Sequence, residues 1–197
     1  MKDSVSHYFT DNSQLKKNRK EIAFRFLDID YKLMSDDGVF SKDGLDRGTE
    51  AMMKVVSTLE YSGRVCDLGC GIGVVGVILS SLFDLEVVGL DVNQRSVDLA
   101  NENFARYKVN GKNILSDGLH EKFDHVISNP PIRVGKEKMY SLFDSVYENL
   151  NSGGTFVFVI RKQHGALSAQ KKAASLFGNC TLLNKDKGFY IYKCHKA

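Results

Sequence analysis

The stretch RVCDLGCGIGVVGVIL, residues 64 to 79, decides the fold. Its opening, Arg64 to Leu68, reads as a strand with one carboxylate, Asp67, at its far end. Gly69, Gly71 and Gly73 come next, and the apolar run from Val74 to Phe83 is predicted as a helix. Glycines at that junction let a backbone pass close to a ligand, and the start of a helix offers free N–H groups.

Downstream the chain repeats the strand-then-helix rhythm. Glu86 to Asp91 is a predicted strand, and Gln94 to Tyr107 a helix with Val97, Ala100 and Phe104 at helical spacing. Short strands follow at Lys112 to Leu115 and within His120 to Ser128. A helix over Lys138 to Leu150 turns Met139, Leu142, Phe143, Val146 and Leu150 inward. Thr155 to Ile160 is an apolar strand after a Gly153-Gly154 turn, Ala166 to Phe177 a helix, and Cys180 to Leu183 and Gly188 to Cys194 close the chain as paired strands. Such alternation implies an α/β fold: a Rossmann-like, doubly wound, mostly parallel seven-stranded sheet ending in an antiparallel hairpin.

Upstream the pattern differs. Residues 1 to 20 are polar and basic, without apolar periodicity. Ile22, Phe24 and Phe26 alternate with other residues, as do Tyr31 and Leu33 beyond Asp28-Ile29-Asp30, which predicts an N-terminal β-hairpin extension. GVFSKDGLDRGTE, residues 38 to 50, places Phe40 in a loop rich in glycine and charge, where it either plugs the hairpin onto the core or helps to cover a ligand. A helix should then run from Asp46 to Leu59, burying Ala51, Met52, Val55, Val56 and Leu59. These breaks divide the chain into an arm and hairpin extension, residues 1–45, and a main domain, residues 46–197.

Composition limits the function. A chain of 197 residues with 43% hydrophobic content can bury one core and is short for two. A net charge of +3, from 27 basic and 24 acidic residues, permits a nucleic-acid partner without requiring one. Cys66, Cys70, Cys180 and Cys194 form no CxxC pair and no Cys/His cluster at zinc spacing, and the five histidines are scattered, so no metal is expected. The polar N-terminus lacks the apolar core of a signal peptide, and the apolar run from Ile72 to Phe83 is too short to span a bilayer. No membrane partner and a cytoplasmic setting are therefore expected.

In a doubly wound sheet, ligands bind over the carboxyl ends of the strands where strand order reverses. Gly71, Gly73 and Gly76 have a GxGxxG spacing, with Asp91 twenty residues after Gly71, which alone suits a nicotinamide dinucleotide as well as other adenosine cofactors. Asp67 argues for a cofactor bearing an ammonium group, since a carboxylate beside a pyrophosphate would repel it. Asp91 can accept both ribose hydroxyls, and Asp117 can accept from an adenine amino group. A second stretch, FDHVISNPPIRVGKE, residues 123 to 137, ends a strand in Asn129, Pro130 and Pro131. Proline cannot extend the strand or donate an N–H, which leaves the Asn129 amide and the Pro130 carbonyl as outward hydrogen-bonding groups.

DLGCGIG, GLDVN and SNPPIR, in that order, resemble the class I S-adenosylmethionine-dependent methyltransferases. The NPP motif is similar to that of enzymes methylating exocyclic nitrogens conjugated to a π-system. With GVFSKDGLDRGTE before the core, the chain over roughly residues 20 to 197 resembles the small-subunit ribosomal RNA guanine-N2 methyltransferase family, in particular its short, single-domain members. The resemblance implies S-adenosylmethionine as cofactor, held by Asp67, Gly69, Gly71, Gly73, Asp91, Val92, Asp117 and Asn129. It implies that Asn129, Pro130 and Pro131 carry catalysis, with Asn129 Oδ1 and the Pro130 carbonyl accepting the two hydrogens of the target NH2. Substrate contacts would fall to Phe40, Ile132, Arg133, Lys136 and Arg161, with Lys138, Lys162 and His164 on the same rim for RNA phosphates. Many NPP enzymes place an aromatic after the second proline to stack on the target base, and Ile132 departs from that pattern.

The implied partner is ribosomal RNA or the small ribosomal subunit. A monomer is expected, with a dimer left open. Three alternatives stay open: an NPP enzyme methylating a protein glutamine amide, a nicotinamide-dependent oxidoreductase that leaves NPP without a purpose, and a non-catalytic RNA-binding factor.

Overall fold

The computed structural model describes residues 18–39, 44–130 and 135–197. A hairpin opens it, β1 Lys20–Phe26 against β2 Ile29–Ser35, followed by α1 Arg47–Val56. Alternation then begins: β3 Arg64–Leu68, α2 Val74–Leu82, β4 Glu86–Asp91, α3 Gln94–Tyr107 and β5 Gly111–Leu115. It continues through β6 Phe123–Ser128, α4 Lys136–Asn149, β7 Leu150–Arg161 and, after a short 3-10 turn, α5 Ala166–Phe177, ending in β8 Thr181–Asp186 and β9 Phe189–His195.

The main sheet has seven strands in the order β5-β4-β3-β6-β7-β9-β8. Pairing is parallel from β5 to β7 and antiparallel where β9 joins β7 and β8. From β3 the chain moves outward through β4 to β5 and then returns to β6 on the other side of β3. This reversal opens a crevice above the carboxyl ends of β3 and β6.

Two-residue periodicity along the strands divides the core into two faces. Val65, Val87, Val157 and Val159 face α1, α2 and the hairpin, whereas Cys66, Val88, Phe156, Phe158 and Ile160 face α4 and α5. Phe143 of α4 packs 5.2 Å from Phe156 and 4.9 Å from Phe158 between ring centroids, and each fully buried ring contributes on the order of 1.5–3 kcal/mol. The hairpin belongs to the first face: Ile22, Phe26, Tyr31 and Leu33 are buried in one cluster with α1 and α2. Its main polar tie is Asn103 of α3, wholly buried, which accepts from Met34 N–H at 2.8 Å and donates to the Met34 carbonyl at 3.0 Å and the Ile72 carbonyl at 2.9 Å. One amide thereby joins the hairpin to the glycine loop.

The sequence-based architecture agrees with this structure, and the departures are local. The hairpin turns at Leu27-Asp28, both at positive φ, and Ile29 already belongs to β2. Helix α1 starts one residue after Asp46 because Asp46 is its cap, and it ends at Val56 rather than Leu59. Gly153-Gly154 does not form a turn ahead of the strand. It lies inside β7 where the pairing with β6 changes register, and a Cβ at Gly154 would stand 2.7 Å from the Asp124 carbonyl.

Candidate active site

The glycine loop is folded down over β4: Gly69 and Cys70 donate their N–H groups to the Leu90 carbonyl at 2.8 and 3.0 Å. Gly69, Gly71 and Gly73 all adopt positive φ, at 83°, 53° and 85°, which is costly for any residue with a Cβ. They differ in what surrounds them. A Cβ on Gly71 would meet nothing within 4 Å, so the space above it is open, whereas one on Gly73 would meet the Phe104 ring at 3.1 Å. Gly76, the last of the GxGxxG set, serves packing: a Cβ there would be 2.4 Å from Phe104.

Asp67 is 2% exposed, and its carboxylate accepts the Gly76 N–H in the first turn of α2, where Gly73 has no side chain to cap the helix. Its other oxygen, Oδ2, is buried with no hydrogen-bond partner. Burial first, and the Asp91 carboxylate second, push the Asp67 carboxyl from 3.8 up to about 8. Asp91, at the end of β4, accepts the Gly71 N–H on Oδ2 and the Asn93 N–H on Oδ1, each at 2.9 Å. Burial raises its pKa too, against the pull of these backbone donors.

Asn129 follows β6, whose last residue, Ser128, donates its hydroxyl to the Leu68 carbonyl at 2.7 Å and so binds the ends of β6 and β3 together. The Asn129 carbonyl lies 3.9 Å from where a Gly69 Cβ would be, which makes the two motifs neighbours. The Asn129 side chain donates from Nδ2 to Asp46 Oδ2 at 3.0 Å and to Thr49 Oγ1 at 3.1 Å. Both partners belong to the DRGT run at the start of α1, where Asp46 also accepts the Thr49 N–H at 3.0 Å. Pro130 is buried directly after.

The structure thus gathers Asp67, Gly69, Gly71, Gly73, Asp91 and Asn129 over the carboxyl ends of three adjacent strands. Val92 follows Asp91 on this edge. Asp117 lies two residues beyond β5, with its side chain 83% exposed and 3.7 Å from His120. Lys136 opens α4, exposed, with its ammonium 5.5 Å from the Tyr140 ring centre. Arg161 ends β7 with its guanidinium 4.8 Å above the Phe189 ring, and a Cβ on Gly48, beside the Asp46 cap, would stand 2.9 Å from that ring. Phe40, Pro131, Ile132 and Arg133 lie outside the described residues.

Sequence reasoning missed Asp46 and Thr49 as partners of Asn129. An Asp three residues before a Thr at a helix start announces a cap, but nothing local announces an amide eighty-three residues away in sequence. It also missed the pair of buried Asp36 with Arg95, 3.2 Å apart, which with Asn93 donating to the Gly38 carbonyl fastens the end of β2 beside Asp91.

A glycine loop, the buried Asp67 and the half-buried Asp91 at the reversal point, with the Asn129 amide beside the neighbouring strand's end, form a crevice of the doubly wound type. Comparison with known proteins places it more closely. Residues 30–193 match the model of the family described as Methyltransferase small domain. "Uncharacterized protein YbxB" of Bacillus subtilis is 34% identical, covering 97% of this chain and 98% of that protein. "Ribosomal RNA small subunit methyltransferase C" of Colwellia psychrerythraea is 31% identical over 84% of this chain, which spans only 47% of that relative's length. Among solved structures, the Thermus thermophilus 16S rRNA N2 G1207 methyltransferase (RsmC), in complex with AdoMet and guanosine, superposes with a TM-score of 0.80 at 21% identity, over 91% of this chain and 51% of that one. The chain belongs to the methyltransferase small domain family, as a class I S-adenosylmethionine-dependent methyltransferase of the RsmC-like type.

The residues fit that cofactor. The orphaned Asp67 Oδ2 is a buried acceptor without a donor, which an ammonium group would satisfy. The open face of Gly71 leaves room beside it, and Asp91 keeps lone pairs for hydroxyl donors.

Proposed function

We propose that the protein transfers a methyl group from S-adenosylmethionine to the exocyclic N2 amine of a guanine in small-subunit ribosomal RNA. The observation that carries this reading is the orientation of Asn129. Because Asp46 and Thr49 take the protons of its NH2, the oxygen Oδ1 is left as an acceptor at the mouth of the crevice.

When bound, the cofactor supplies an electrophilic methyl on a sulfonium. Asp67 would hold its ammonium, Asp91 its ribose, and the glycine loop would let it lie close to the backbone. Asn129 Oδ1 and the Pro130 carbonyl would accept the two hydrogens of the target NH2, which fixes the nitrogen in line with the methyl. The amine's lone pair is delocalised into the purine ring, so it is a weak nucleophile. Oriented acceptors strengthen as positive charge grows on nitrogen, favouring the transition state over the ground state. Once the N–C bond has formed, the amine's surplus proton leaves to water, so no strong base is required. Arg161, Lys136, Lys162 and His164, on the same rim, would contact RNA phosphates.

The test is incubation with methyl-labelled cofactor and both ribosomal subunits, followed by nucleoside analysis. Label in N2-methylguanosine from small-subunit RNA is the expected result. Label in large-subunit RNA, the substrate in the name of a 27% identical Psychromonas ingrahamii relative, in another nucleoside, or in protein glutamine would overturn the substrate while leaving the enzyme class.

A further inference from the structure

A primary amide has two faces of similar shape and opposite polarity, so an unrestrained Asn can present either oxygen or NH2 to its ligand. For an amine target only one orientation works: oxygen outward accepts the target's hydrogens, and NH2 outward sets donor against donor. The question is what holds Asn129 in the productive sense, and the first turn of α1 answers it.

Asp46 is the N-cap of α1, in extended backbone conformation at φ −63° and ψ 141°. Its Oδ2 receives the Thr49 N–H at 3.0 Å, the Thr49 hydroxyl at 3.4 Å and Asn129 Nδ2 at 3.0 Å. An ionised carboxylate only accepts, so the Asn129 atom facing it must be nitrogen. Thr49 is oriented by the same logic. Its hydroxyl proton points to Asp46, which leaves an oxygen lone pair to accept the second Asn129 proton at 3.1 Å. Both N–H groups of Asn129 are then committed to α1, and Thr49 is largely buried at 6% exposure, which limits competition from water.

We infer that Asp46 and Thr49 are positioning residues for methyl transfer: they fix the polarity of Asn129 so that Oδ1 faces the substrate. This rests on the reading of Asn129 as an amine acceptor. It gives the DRGT run a role beyond starting a helix, and it ties the segment before the cofactor fold to chemistry on β6. It also restricts the substrate class to groups with a hydrogen to donate, N–H or O–H.

Two substitutions separate positioning from folding. Thr49→Val removes the hydroxyl while the Thr49 N–H cap on Asp46 remains. Asp46→Gly removes the acceptor of Asn129 Nδ2, and glycine is tolerated at an N-cap at a cost of only a few tenths of a kcal/mol. The expected loss in kcat is about tenfold for Thr49→Val and about thirtyfold for Asp46→Gly, with KM and cofactor affinity within about twofold of wild type. Thr49→Ser, which keeps the hydroxyl, recovers most of the loss. Independently of activity, the Asn129 side-chain NH2 resonances of the free protein, assigned by their loss in Asn129→Ala, should show two hydrogen-bonded protons that exchange slowly, and Thr49→Val should release one. Unchanged kcat in both variants, equal losses in cofactor affinity and kcat, or Asn129 protons insensitive to Thr49 would overturn the inference. If the wild-type protein methylates no amine, the proposed function fails instead, and the resonances still report whether the polarity is fixed.

Discussion

The two halves of the site are finished to different degrees. On the cofactor side a carboxylate oxygen, Asp67 Oδ2, is buried with no partner. On the side proposed to face the target, both protons of the Asn129 amide are already given to Asp46 and Thr49. A buried polar oxygen without a partner is unfavourable in the empty protein, and it is where a ligand's charged donor would fit once the carboxyl gives up its proton. A committed amide marks the reverse: orientation established before the ligand arrives, so that none of the substrate's binding energy is needed to set it. Cofactor binding should therefore be sensitive to charge and pH, and transfer should be sensitive to geometry.

Removing the amide is the largest way to break that division. Asn129→Ala should lower kcat by at least about a hundredfold while calorimetry finds the affinity for S-adenosylmethionine nearly unchanged. Collapse of cofactor binding in this variant would mean that the two halves are not separable.

Asp67 probes the other half. With its carboxyl near 8, the empty protein holds a proton there at neutral pH that an incoming ammonium would displace. Binding at pH 7 should release a proton, visible as a dependence of the calorimetric heat on buffer ionisation, and affinity should climb from about pH 6 toward pH 8. Asp67→Asn should abolish that release and weaken binding by about thirtyfold. The same shift bears on stability. The folded apoprotein keeps a proton that the unfolded chain loses above about pH 4, so stability falls as pH rises from about 4 to 8 and levels off above that. Thermal unfolding of the Asp67→Asn variant should lack that slope.

A smaller effect distinguishes Gly71, proposed to face the cofactor, from Gly76, which packs on Phe104. Gly76→Ala drives a methyl to within 2.4 Å of the Phe104 ring, and the improved helix propensity offsets only part of the clash, for a net loss of about 1–2 kcal/mol. Denaturant titration should find that loss. Gly71→Ala meets open space and carries only the strain of φ 53°, so its effect should fall mainly on cofactor affinity.

Most of the geometry of the proposed cofactor half was legible in the chain because its determinants are contiguous. DLGCGIG states a strand end, a carboxylate and a glycine turn within seven residues, and Asp91 ends the next strand. The reversal of strand order followed from alternation alone, and it places Asn129 beside Gly69. What could not be read were bonds made across long sequence separations between residues that look ordinary locally. Asp46 and Thr49 read as a helix start, and Asn103 as a polar residue on an amphipathic helix, yet the first two hold the Asn129 amide and the third joins the hairpin to the glycine loop. Gly153-Gly154 misled for the opposite reason: a glycine pair is a strong local sign of a turn, and here the neighbouring strand uses it for close approach inside β7.

The central claim is that Asn129 and Pro130 grip an exocyclic amine. Inosine differs from guanosine only in lacking that amine, which makes one substitution in the RNA the most direct test. Once labelled methyl has been mapped to a guanine, the same RNA with inosine at that position should bind with similar affinity and accept no methyl group. Transfer to the inosine-containing RNA at a comparable rate would contradict the account.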